Sequence, residues 1–105
     1  MDYNALSQTE QAIAAYKEAL RLNPEYAVTW LNLGINYGKM NKYEQANQAF
    51  LEAIRIEPEY ADAWGSLGSL YARQGLRDKV LEVYSTLKKL DSSKAEIFFK
   101  TFILP

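Results

Sequence analysis

Four residues of this chain recur as a set. Trp30, Leu33, Gly34 and Tyr37 return 34 residues later as Trp64, Leu67, Gly68 and Tyr71. Upstream, Ala12, Tyr16, Ala19, Leu20 and Pro24 return at the same interval as Ala46, Phe50, Ala53, Ile54 and Pro58, and Tyr3 falls in register with Tyr37 and Tyr71. A fixed period of roughly 20 to 50 residues identifies an array of stacked supersecondary units before local propensity is considered. Few other features of a chain narrow its folds so far.

Within each unit the apolar spacing is helical. Trp30, Leu33, Gly34 and Tyr37 stand at i, i+3, i+4 and i+7, and Ala46, Phe50, Ala53 and Ile54 at i, i+4, i+7 and i+8, so each unit is two helices. Asn23-Pro24 and Glu57-Pro58 separate the units, because a proline lacks an amide donor and pushes the preceding residue out of the helical region. Inside the units, Met40-Asn41-Lys42 and Gln74-Gly75-Leu76 make the turns, with Asn41 and Gly75 suited to the left-handed conformation that ends a helix. Gly34 in a helix interior costs about 1 kcal/mol against alanine. Close helix contact explains it: Gly34 is expected to face Ala46, with Trp30, Tyr37 and Phe50 filling the space around them.

The pattern resembles the tetratricopeptide repeat family. Trp30, Leu33, Gly34, Tyr37, Ala46, Phe50, Ala53 and Pro58 match all eight signature positions in one unit. The next unit keeps Trp64, Leu67, Gly68, Tyr71 and an aromatic at Tyr84, but has Val80, Leu87 and Ser92 where Ala, Ala and Pro are usual, which implies looser packing of its second helix. The resemblance implies an all-α fold of antiparallel helix-pair repeats stacked in a right-handed superhelix, an α-solenoid, with a C-terminal capping helix. It divides a single domain of residues 1–105 into a partial first repeat (1–26, mainly its second helix), two full repeats (27–60 and 61–94) and a capping helix (95–105). Met1 to Leu6 correspond to the end of a first helix, so a short helical turn is expected there, followed by a second helix over 8–22.

Proteins of this family generally act as interaction scaffolds, and the resemblance implies that first helices line a concave groove taking a peptide or helix of a partner. On this chain those positions are Val28, Leu31, Asn32, Ile35 and Lys39, then Asp62, Ser66, Ser69 and Arg73. Asn32 matches a recurrent ligand-contacting asparagine whose carboxamide both donates and accepts. The carboxylate clamp of chaperone-binding members needs basic residues early in a following first helix, where Asp62 and Ser66 stand instead. An unpaired Asp62 repels a terminal carboxylate, so a ligand mixing apolar and basic groups is expected.

Composition removes other classes. The 105 residues contain no Cys and no His, which excludes Cys/His zinc sites, thiol nucleophiles and imidazole proton shuttles. Glu57 and Glu59 flank Pro58 at a turn, a place for solvated helix ends rather than an acid/base pair, and no enzymatic activity, metal or cofactor is expected. A net charge of −1 gives no field for nucleic acid or an anionic membrane. No segment reaches the ~20 apolar residues that span a bilayer, and the polar start MDYNALSQTEQ lacks signal-peptide character; a cytoplasmic location is expected.

The ending AEIFFKTFILP is unusually apolar. As a helix capped by Ser92 or Ser93, it places Ala95, Phe98, Phe99, Phe102 and Ile103 within an arc of about 140°, enough to dock on the second full repeat. Ile97 and Leu104 fall together on the opposite side, where a solubilising cap is polar. Together with the unpaired first helix, that seam points to an alternative role as a self-associating homo-oligomer, or to a fragment of a longer array.

Overall fold

The computed structural model describes every residue from Met1 to Pro105 and is entirely helical. Six α-helices follow one another: α1 (Tyr3–Leu22), α2 (Ala27–Lys39), α3 (Tyr43–Ile56), α4 (Ala61–Arg73), α5 (Arg77–Leu90) and α6 (Ser92–Phe98), the last running into a π-helical turn, Phe99–Ile103. Two compact units result, Met1–Pro58 and Glu59–Pro105. No helix is long and apolar enough to cross a membrane.

In the first unit α1 and α3 both pack on α2. The turn between α2 and α3 closes as the sequence suggests: Asn41 adopts φ 59°, and the Lys42 amide donates to the Tyr37 carbonyl at 3.0 Å, the long-range bond of a Schellman cap. Preceding α2, the Trp30 indole Nε1 donates to the Pro24 carbonyl at 2.8 Å, which ties the signature tryptophan to the signature turn. Ala46, Ala49 and Ala53 are buried, and their small size lets α3 lie close to α2. The contact at Gly34 differs from the expected one. The ring of Phe50, not Ala46, lies over it, and a Cβ at Gly34 would stand 2.5 Å from Phe50 Cε1.

The N-terminus also departs from expectation. Residues 3–22 form one continuous helix rather than a turn followed by a helix. Asp2 caps it, Oδ1 accepting from the Ala5 amide at 2.8 Å. Nothing between Tyr3 and Thr9 takes the left-handed conformation seen at Asn41 and Gly75, and the Thr9 hydroxyl is absorbed by donating to the Ala5 carbonyl at 2.9 Å. Helix propagation needs only the absence of a stop.

In the second unit Gly75 (φ 74°) makes the corresponding turn, with the Leu76 amide donating to the Tyr71 carbonyl at 3.0 Å. Where α3 offers Ala46, Ala49 and Ala53, α5 offers Val80, Val83 and Leu87, all buried. These larger side chains change what covers Gly68. A Cβ there would stand 2.5 Å from two ring carbons of Phe98 and 2.8 Å from Val83 Cγ1. Tyr84, the register counterpart of Phe50, packs instead on Phe99 with ring centroids 5.3 Å apart.

The aromatic that fills the helix-pair interface therefore comes from the C-terminal segment. Phe98 is 4 % exposed, Ala95 is buried beside it, and Phe102 and Ile103 pack on the same core. Asp91 both ends α5, donating its amide to the Leu87 carbonyl at 2.8 Å, and starts α6, its Oδ1 accepting from the Lys94 amide at 3.1 Å. The cap is thus Asp91 rather than Ser92 or Ser93. The helix widens into the π-helical turn after Phe98, and Phe102 and Ile103 both pack on the core from it. Ile97 and Leu104 remain 65 % and 53 % exposed. Leu104 lies beyond the helical turns in extended backbone, so the regular spacing that put these two residues on one seam is broken.

Candidate functional site

The first helix of each full unit presents one strip of side chains at i, i+4, i+7 and i+11. On α2 the strip is Val28, Asn32, Ile35 and Lys39, with Val28, Ile35 and Lys39 exposed and Asn32 half-buried. The Asn32 backbone carbonyl accepts from Asn36 Nδ2 at 2.8 Å, which satisfies the buried Asn36 amide. The carboxamide of Asn32 itself has no hydrogen-bond partner in the chain. A polar group flanked by two exposed apolar side chains is thereby left able to donate and accept at once.

Leu31 does not belong to this surface. It is 7 % exposed, because three residues from Val28 and four from Ile35 it turns about 60° away from their line, toward the packed side of α2. Its register counterpart on α4 is Gly65, where a Cβ would meet nothing within 4 Å. The same helical position is filled in one unit and open in the other.

On α4 the strip is Asp62, Ser66, Ser69 and Arg73, with Asp62 and Arg73 exposed and the two serines half-buried. Asp62 is not a lone carboxylate. Lys94 Nζ, from α6, lies 2.5 Å from its Oδ1, and this hydrogen bond to Asp62 raises the Lys94 pKa above the ordinary lysine value. The charge expected to repel a terminal carboxylate is therefore balanced. What a ligand meets at the start of α4 is an ion pair, and the argument for a basic ligand loses that support. Lys94 is remote from Asp62 in sequence and outside the signature positions. Reading the tail as one more first helix, beginning beside the start of α4, is the signal that finds it.

Four further ion pairs are present: Arg21–Glu18 within α1 at 2.6 Å, Arg55 with Glu52 one turn before it at 3.3 Å and with Glu25 in the α1–α2 turn at 3.0 Å, and Lys100–Glu96 in the C-terminal segment at 3.1 Å. Arg21 holds the Glu18 carboxyl below its ordinary value, and Glu25 and Glu52 raise Arg55. All of these groups are solvated. They stiffen helix ends rather than mark a reactive centre.

The glycine beneath an aromatic ring, the indole bonded to the proline carbonyl and the left-handed turn residue account physically for the repeated sequence positions. A family model described as the TPR repeat matches residues 2–41 and again 37–75. The chain belongs to the tetratricopeptide repeat family. Solved structures agree with this assignment. The crystal structure of MamA is 30 % identical, with a TM-score of 0.78 over 85 % of this chain and 52 % of that one, and a second MamA crystal structure is 31 % identical, with a TM-score of 0.75 over 84 % and 48 %. The Arabidopsis OM64 TPR domain superposes with a TM-score of 0.83 over 91 % of this chain and 81 % of that one at 19 % identity, a likeness of fold alone. The tetratricopeptide chain spans about half the length of the MamA structures it matches. No curated protein matches the sequence. Tetratricopeptide repeats are generally protein–protein interaction modules.

Proposed function

We propose that this tetratricopeptide chain binds a peptide or helix of a partner protein on the strips presented by α2 and α4. The observation that carries the reading is the unpartnered Asn32 carboxamide between exposed Val28 and Ile35, since such a group gains hydrogen bonds from a peptide backbone while its neighbours bury apolar side chains. Lys39 continues the strip of the first unit, and Ser66, Ser69 and Arg73 stand on that of the second. The small side chains of α4 and the open position at Gly65 favour close approach by a ligand backbone. The proposed role is recognition in the absence of catalysis, metal or cofactor, in a cytoplasmic setting.

Affinity capture with the intact chain identifies the partner, and calorimetry on the purified pair measures the site. Asn32→Ala combined with Arg73→Glu is expected to weaken binding at least tenfold with the helical content unchanged. Unchanged affinity rejects the assignment.

A second reading is self-association through the C-terminal segment, where Ile97 and Leu104 are each exposed although no longer on one helical seam. Light scattering on the eluting peak tests it: Ile97→Lys with Leu104→Lys converts a dimer to a folded monomer, and a parent chain that is monomeric at high concentration removes the reading.

A further inference from the structure

In the first unit α1 and α3 pack on α2 and barely on each other, so a crevice remains between them with α2 as its floor. It has two lobes. One, of about 250 Å³, is walled by Leu20, Trp30, Leu33 and Ala49. The other, of about 320 Å³, is walled by Ile13, Ala14 and Met40, with Glu10 and Lys42 at its rim. Each exceeds the ~150 Å³ that admits benzene in an apolar cavity, so each has room for a Leu- or Phe-sized side chain.

Three residues line both lobes: Lys17, Tyr37 and Gln45. They form the waist of the crevice, and all three carry hydrogen-bond donors. Tyr37 is 9 % exposed, yet its hydroxyl has no hydrogen-bond partner in the chain and is not sealed from solvent. A phenol this deeply placed ordinarily finds a partner. Lys17 also has no ion pair, and the only other charges lining the crevice, Glu10 and Lys42, offset one another at the far lobe. The waist therefore holds an uncompensated cation, a hydroxyl with no partner in the chain and a carboxamide, between a mainly apolar lobe and one whose apolar wall is Ile13, Ala14 and Met40.

In the second unit the register counterparts of the α3 wall are different side chains. Val83 stands where the first has Ala49, and Lys79, the counterpart of Gln45, lies over the Tyr71 ring at 5.5 Å from its centroid.

We infer that this crevice is a second docking surface, distinct from the strips of α2 and α4, for a partner segment in which an Asp or Glu stands between two large apolar residues. The carboxylate accepts from Lys17, Tyr37 and Gln45, a charge-assisted set, while the flanking side chains enter the lobes.

Panning a phage-displayed library of random peptides on the intact chain tests this, with recovered peptides resynthesised and measured by calorimetry. The expected result is a class carrying an acidic residue flanked by large apolar ones, weakened about tenfold or more by Lys17→Glu and equally by converting the peptide acid to its amide, since a hydrogen bond to a charged group contributes on the order of that factor. Tyr37→Phe deletes only the hydroxyl oxygen, and a loss of affinity with an unchanged melting temperature assigns that oxygen to the ligand. Failure to recover the acidic class, or affinity that survives both Lys17→Glu and Tyr37→Phe, overturns the inference. Peptides that respond to Asn32→Ala alone also overturn it, while supporting the separate assignment of the α2 strip.

Discussion

Phe98 lies against Gly68 so closely that a Cβ on the glycine would stand 2.5 Å from two carbons of its ring. Phe98 stands one repeat length after Trp64, as Trp64 does after Trp30. The docked helix thus places an aromatic at the tryptophan position of the register and inserts it where the second unit's own Tyr84 is turned aside.

Opposite outcomes follow at two glycines of the same helix. Gly68→Ala forces a methyl group into a buried ring and into Val83 Cγ1, so it should destabilise the protein by about 1–3 kcal/mol despite the better helix propensity of alanine. Gly65→Ala meets nothing within 4 Å and should stabilise by roughly 0.5–1 kcal/mol through the unfolded chain and helix propensity. Thermal melting of the two variants should shift in opposite directions; equal shifts reject the packing at Gly68.

Phe98→Ala should cost about 3–5 kcal/mol, the range for truncating a buried aromatic. In that background Gly68→Ala should lose part of its penalty, because the two nearest atoms are gone while Val83 Cγ1 stays at 2.8 Å. A double-mutant cycle in denaturant measures the coupling. Additive effects would mean that the two residues do not touch.

The repeat register made most of the fold legible, for a physical reason. Each recurring residue performs a local task, whether receiving a ring, bonding a turn carbonyl or reversing the chain, and a task repeated in sequence is repeated in space. What the register concealed is also specific. It assigned Tyr84 to the place that Phe98 takes, since larger side chains at Val80, Val83 and Leu87 alter the interface without altering the period. It placed Leu31 with Val28, although about 60° of helix rotation separates the buried side chain from the exposed one. Regular α spacing paired Ile97 with Leu104, and a π-helical turn broke it. Tyr37 passed as a core filler because its pattern position says nothing of where the hydroxyl points. Of the candidate site, the strip on α2 was readable apart from Leu31, whereas the Asp62–Lys94 pair lies outside the signature positions and emerges only when the tail is read as one more first helix.

Asn47 offers a route to a more stable chain. Its Oδ1 is buried with no hydrogen-bond partner, and a desolvated, unbonded acceptor costs about 1–3 kcal/mol. The register counterparts of this position are Ile13 and Leu81, both apolar, so the repeat tolerates an aliphatic side chain there. Asn47→Leu should raise stability by about 1 kcal/mol or more, once the lost polar cost is set against imperfect packing of the new side chain. A lower melting temperature than that of the parent would mean that the oxygen is bonded in solution.

The tether between Asp62 and Lys94 should fade in alkali. Its hydrogen bond raises the Lys94 pKa from the ordinary 10.5. A lysine raised on folding adds stability that is fully present below its unfolded value and is lost as pH rises through the folded one, so the window begins near 10.5 and extends above it. The difference between the parent and Asp62→Asn isolates the pair, because the asparagine keeps the shape and removes the charge. Melting temperatures should differ by a small amount at about pH 8 and converge at about pH 12, where lysine is neutral. Added salt at about pH 8 should shrink the same gap, since both groups are solvated and exposed pairs are screened. A gap that persists at high pH would assign the effect of Asp62→Asn to the first turn of α4, where a carboxylate favours the positive end of the helix dipole, and not to Lys94.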